Sequence, residues 1–212
     1  MDLTRLGPFF ALHDLDGDCW RPLRDLYDGP VLDERVAYVA DVLGAMTGTP
    51  IETRVAASTM SLGLFARLVA PVIGAAVLGR SLPALDADAT YWQPSSGGPW
   101  PLALTGAEVG PDLAATLDEV VLPLAEVVAG RFSLSPQVLY GNVASAVFGA
   151  VRMVGAARAD LADAARTIGL GVLTGPLHGT GVLAEEFVRS SCCLYYRIPG
   201  GGYCGDCVLT AR

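Results

Sequence analysis

Residues 55–79 read VAASTMSLGLFARLVAPVIGAAVLG, and how they are read decides the fold. The run is apolar apart from a few Ser and Thr and a single Arg67, and it is long enough to cross a bilayer. Arg67 near its middle would cost about 2.5–3.5 kcal/mol in a membrane, and Pro71 interrupts helical hydrogen bonding. The segment is therefore read as a buried amphipathic helix kinked at Pro71. No transmembrane segment is expected, and the rest of the fold should pack around this helix.

Other helices are expected on both sides of it. Asp33 and Glu34 precede Val36, Val39, Ala40 and Leu43, whose three-four spacing forms one apolar stripe. Thr49, Pro50, Ile51 and Glu52 have the form of a capping box with proline in the first helical position, which predicts a helix start there. Leu113, Leu117, Val120, Val121, Leu124 and Val128 repeat the stripe, with a kink expected at Pro123 and an end at Gly130. Ser135 and Pro136 open a further helix to about residue 157, and residues 160–170 form a shorter one.

Residues 89–105, ATYWQPSSGGPWPLALT, have a different texture: aromatic and β-favouring runs flank a turn rich in Pro, Ser and Gly. Two short strands are expected near residues 89–104, and residues 187–198 can run extended. The fold class is α+β and predominantly α-helical. A mainly helical body, residues 1–186, carries a small β element, and a C-terminal cysteine-rich segment, residues 187–212, belongs to the same compact unit.

Composition excludes several functions. The 212 residues are 52% hydrophobic, enough to bury a core without disulfides. Fourteen basic against 22 acidic residues give a net charge of −8, which repels phosphate backbones, so no nucleic-acid partner is expected. The opening residues, MDLTRLGPFFALHDLDGD, lack a basic stretch followed by a long apolar one, which points to a cytoplasmic protein with reduced thiols.

Residues 191–208, SCCLYYRIPGGGYCGDCV, hold four of the five cysteines. Cys192, Cys193, Cys204 and Cys207 are spaced Cys-Cys-x10-Cys-x2-Cys, and candidate chemistries make different demands on that spacing. Structural zinc favours two short Cys-x2–4-Cys loops, and adjacent cysteines on extended backbone point apart. Disulfides require an oxidising compartment, and a vicinal bridge is strained. A thioredoxin-like pair at Cys204 and Cys207 normally opens a helix within a βαβ unit. An iron–sulfur cluster takes four thiolates at uneven spacing, and the glycines at 200–202 allow backbone to wrap closely around it.

Adjacent cysteines followed by x10-Cys-x2-Cys resemble the signature of the FhuF-like ferric siderophore reductases, over residues 189–209. Val138, Leu139, Tyr140, Gly141 and Asn142 are more weakly similar to a segment in the body of that family, where Trp often stands at the place of Tyr140. The resemblance implies that Cys192, Cys193, Cys204 and Cys207 are the metal ligands of one [2Fe–2S] cluster. It further implies an oxidoreductase that passes a single electron to siderophore-bound Fe³⁺ in the cytoplasm, with no catalytic residue beyond the cluster. No nicotinamide or flavin fingerprint is visible, so the electron is expected from an external donor, a ferredoxin or flavoprotein reductase. The ferric complex should dock in a surface depression beside the cysteines, and the net charge favours a neutral or cationic complex.

A second reading is a non-catalytic partner-binding protein whose cysteines hold structural zinc or a structural cluster. Cys19 is read as a small buried side chain outside the set. Asp14, Asp16 and Asp18 form a polar turn, their glycine being misplaced for a calcium loop. His13 and His178 stand alone, Trp92 and Trp100 suit either core or a substrate surface, and Arg189 and Arg197 flank the cysteines, placed either to contact substrate or donor or simply to balance the cluster's negative charge.

Overall fold

A computed structural model describes residues 2–210. After two 3₁₀ turns, β1 (Arg21–Pro22) and a single helical turn, α1 (Asp25–Asp28), lead into α2 (Pro30–Thr47) and α3 (Thr53–Leu78). Short strands follow: β2 (Leu82–Pro83), β3 (Thr90–Trp92), β4 (Leu102–Leu104) and β5 (Glu108–Val109). The second half holds α4 (Leu113–Thr116), α5 (Leu122–Arg131), α6 (Pro136–Ala157) and α7 (Ala162–Gly171). A hairpin of β6 (Gly181–Leu183) and β7 (Phe187–Arg189) then delivers the chain to the cysteines. The fold is helical α+β, as expected.

The most extensive contact in the molecule joins α3 to α6; α2 leans on α3, while α5 and α7 flank α6. Both central helices are long and apolar enough to cross a membrane by length and composition, yet each buries most of its apolar window against the rest of the fold. Phe65, Leu68, Val69 and Ile73 of α3 meet Leu139, Val143, Val147 and Ala150 of α6 within one continuous core. α6 starts as read, with the Ser135 hydroxyl accepting from the Gln137 N–H and Pro136 in the first turn.

Arg67 is 2% exposed and reads the surrounding backbone rather than an acid. Nε donates to Trp100 O at 2.6 Å, Nη1 to Phe9 O at 2.8 Å, and Nη2 to Ala11 O. Burial pulls the guanidinium down to about 10, which leaves it charged at neutral pH. One side chain thus ties the N-terminal segment and the loop before β4 to α3. Beside it, β1, β3 and β4 form an antiparallel sheet in which Thr90 faces Leu104 and Arg21 faces Trp92.

Three sequence readings are corrected. The helix expected to start at Thr49 starts at Thr53, because Gly48 ends α2 in the left-handed region and Thr47 Oγ1 turns back to Leu43 O and Thr49 O. Pro50 lies in the connection, and Glu52 pairs with Arg197 at 2.6 Å instead of closing a box. The stripe beginning at Leu113 is not one α-helix: residues 117–121 are π-helical immediately before Pro123, whose missing N–H removes the donor that a regular turn would require. Tyr27 Oη donates to Val120 O at 2.7 Å within this widened turn. Finally, β1, β2, β5 and β6 lie where no strand was read; they are only two or three residues long, too short for a period to register.

Replacing Arg67 with Met leaves three part-buried carbonyls without their donors while preserving apolar volume. The expected cost is about 2–4 kcal/mol, to be measured by urea denaturation of the two proteins.

Candidate functional site

The cysteine segment is held at both ends of its loop. Ser190 N donates to Thr180 O at 2.7 Å, extending the β6–β7 hairpin, and Arg189 N donates to Asp206 O at 3.1 Å, which draws the returning strand alongside. Between them Leu194 takes the left-handed conformation at φ 67°, a 3₁₀ turn follows at Tyr195–Arg197, and Gly200 and Gly202 reverse the chain at positive φ. The Leu194 turn sets its own N–H 3.4 Å from Cys192 Sγ, and Leu209 N–H stands equally far from Cys207 Sγ.

All four cysteines of the segment are free thiols, Cys193 and Cys207 buried and Cys192 and Cys204 half-buried. Cys193 Sγ and Cys204 Sγ are 3.4 Å apart. Their mutual hydrogen bond favours the thiolate at Cys193 and holds Cys204 protonated, so the pair tends to keep one proton between them. Burial pushes the Cys192 thiol up, against the Leu194 N–H, which pulls it down.

The segment rests on the two central helices through buried polar groups. Ser58 Oγ on α3 donates to Cys193 O at 2.7 Å. Asn142 on α6 donates from Nδ2 to Ser58 O, Ser58 Oγ and Ser61 Oγ at 3.0–3.1 Å, and its Oδ1 accepts from Arg189 Nη2 at 2.6 Å. Arg189 Nε donates to Ser191 O at 2.7 Å and Nη2 also reaches Val138 O at 3.3 Å. Ser58, Ser61, Asn142 and Arg189 are all at most 1% exposed. Gly141 makes this approach possible: a Cβ there would lie 2.3 Å from Ser191 Oγ and 2.8 Å from Arg189 Nη2. The weakly similar stretch at residues 138–142 is therefore the part of α6 on which the cysteine segment sits. Tyr140 faces elsewhere, donating to Glu126 at 3.2 Å.

Cys204 also lines an open groove of about 560 Å³ between α6, α7 and the β6–β7 turn. The stacked rings of Phe148 and Phe187, centroids 4.5 Å apart, contribute apolar wall, and Arg152, Glu185 and Asp206 are among its polar lining. The Arg152 guanidinium approaches Gly205, and among the described residues it has no hydrogen-bond or ion-pair partner.

The remaining sequence candidates lie outside this arrangement. Cys19 is exposed, contrary to the buried side chain expected, because the turn it belongs to is closed by Trp20 Nε1 donating to Asp16 O rather than by packing. His13, His178, Asp14, Asp16 and Asp18 are exposed. Trp92 is fully buried and stacks on Trp100 at 4.7 Å, so it is core. Arg197 is engaged with Glu52. Ser58, Arg152 and Asp206 were not singled out in the sequence; a serine inside an apolar helical run was the one available signal, and it is shared with Ser61.

Among the described residues no three His, Cys, Asp or Glu side chains gather as a single metal ion would require. A [2Fe–2S] centre makes a different demand, four thiolates divided between two irons. The close Cys193 and Cys204 pair, the backbone N–H groups beside the other two sulfurs, and a buried arginine three residues before Cys192 fit that group. Residues 189–209 match the family model of the FhuF 2Fe-2S C-terminal domain. No curated protein matches the chain. The segment thus defines an iron–sulfur redox protein with a [2Fe–2S] cofactor. Within that class, residues 189–209 are similar to the C-terminal segment of FhuF.

Two substitutions check the construction of the site. Cys193→Ser should abolish or alter the visible spectrum of the anaerobically purified protein, while Cys19→Ser leaves it unchanged. Gly141→Ala should displace Ser191 and Arg189 and lower bound iron and sulfide per chain at least twofold, with far-ultraviolet circular dichroism still helical; full occupancy in that variant would contradict the packing described.

Proposed function

We propose that the protein is a cytoplasmic ferric siderophore reductase whose Cys192, Cys193, Cys204 and Cys207 hold the cluster. The observation that carries this reading is the double position of Cys204, which pairs with Cys193 at 3.4 Å and also lines the groove of about 560 Å³. Held by these four cysteines, the cluster would supply one-electron chemistry between an external donor, a ferredoxin or flavoprotein reductase, and the Fe³⁺ of the chelate. No covalent bond of the siderophore breaks. Hard oxygen ligands suit Fe³⁺ far better than Fe²⁺, so reduction loosens the complex and frees the metal.

The chain's own residues have modest tasks in this scheme. Phe148 and Phe187 offer apolar surface to the organic part of a chelate, and the groove's size lies within the usual range for small-molecule sites. Its charged lining comprises Arg152 and Arg166 against Asp163, Glu185, Glu186 and Asp206, a negative balance that repeats that of the whole chain. Arg166 is committed to Ala184 O at 2.6 Å, which leaves Arg152 as the cation available to a ligand. Neutral or cationic complexes should therefore be favoured, with Arg152 limiting the penalty on anionic ones.

The test is anaerobic purification with iron and sulfide analysis, followed by stopped-flow mixing of the reduced protein with ferric siderophores of different charge. Reoxidation of the protein with release of Fe²⁺ is expected, faster for neutral and cationic complexes at low salt, the difference shrinking as salt screens it. Arg152→Glu should slow an anionic complex by about three- to tenfold further without changing the cluster spectrum. A loaded, reduced protein that ferric siderophores leave reduced would sink the reading, as would a colourless zinc protein.

A further inference from the structure

Among the described residues two arginines are buried to 2% exposure or less, and they are satisfied differently. Arg67 directs all three guanidinium nitrogens to backbone carbonyls. Arg189, 1% exposed, directs Nε and Nη2 to Ser191 O, Val138 O and Asn142 Oδ1, while its Nη1 is buried with no acceptor among the described residues. It has no ion-pair partner among them either. Asp206 Oδ2, the other buried unpartnered atom of the segment, is not hydrogen-bonded to it.

A buried guanidinium with neutral partners and an idle N–H pair is expensive unless a negative charge accompanies it. The geometry says where that charge belongs. Arg189 is three residues before Cys192, its orientation is fixed by three acceptors, and one of these, Ser191 O, belongs to the residue preceding Cys192, while Asn142 links it through Ser58 to Cys193 O. Four thiolates around a [2Fe–2S] centre bring net negative charge to that spot, and hydrogen bonds and charge near the sulfurs set the reduction potential.

We propose that Arg189 is the positioning residue of the cluster: its Nη1 donates to the sulfur-rich anion held by Cys192 and Cys193, and its buried charge favours the reduced form. Asn142 is the lever that keeps it there, since its Oδ1 holds Nη2 while its Nδ2 holds Ser58, which donates to Cys193 O. This rests on the cluster reading above, and wild-type protein lacking iron and sulfide would defeat that reading before the inference is reached.

The experiment is a redox titration of loaded wild type, R189Q, R189K and N142D, with thermal melts of each in loaded and cluster-free form. R189Q should lower the equilibrium constant for reduction at least tenfold, about 59 mV for one electron. R189K, which keeps the charge, should fall by clearly less. N142D, which sets a carboxylate against Nη2 with Arg189 intact, should shift in the same direction as R189Q. Cluster-free R189Q should melt no lower than cluster-free wild type, because it loses an uncompensated buried charge. An unchanged midpoint in R189Q overturns the proposal. So does cluster-free R189Q losing as much stability as the loaded form, since Arg189 would then be a brace only. Should R189Q hold no cluster, the N142D and R189K midpoints decide by the same criteria.

Discussion

The carboxamide of Asn142 is the junction on which the arrangement depends. It is fully buried, it faces Ser58 and Ser61 across the α3–α6 contact, and it accepts from Arg189 at the start of the cysteine segment. A buried amide with unmade hydrogen bonds costs roughly 1–3 kcal/mol, so each of its partners is held to a narrow position by all the others. The pairing of the two longest helices and the seating of the cysteine loop are consequently one event. Gly141, adjacent in sequence, removes the steric obstacle at the same place.

Arg67 plays a comparable role on the other side of α3, where apolar packing alone would leave the ends of three loop carbonyls unpaired. The two buried guanidiniums divide the helix: one gathers the N-terminal segment and the small sheet, while the other belongs to the segment that carries the thiols. α3 therefore has little freedom to move without disturbing both.

Much of this was legible in the sequence. Arg67 argued correctly for a buried helix because a charge in an apolar run must find partners, and the Ser135 and Pro136 cap placed α6 to the residue. The kind of cofactor came from the resemblance that the cysteine spacing carries, the spacing alone having left zinc and other chemistries open, and the family model supports it. What escaped was whatever depends on distant contact. The apparent box at Thr49 to Glu52 failed because Glu52 had a better partner in Arg197, 145 positions away in sequence. The π-helical turn before Pro123 has no periodic signature of its own. Arg189 could be seen beside the cysteines but not as buried, and the groove edge at Cys204 is made by side chains from four separate elements.

The bond from Ser58 Oγ to Cys193 O has a bearing on how such proteins are recognised and reused. A motif of some twenty residues is enough for alignment to find, yet its shape is held by residues of α3 and α6 such as Ser58 and Asn142, 47 or more positions before the groups they bond. Portability and detectability part company here. The signature reads as a self-contained module, but the contacts that set its conformation come from helices outside the matched residues.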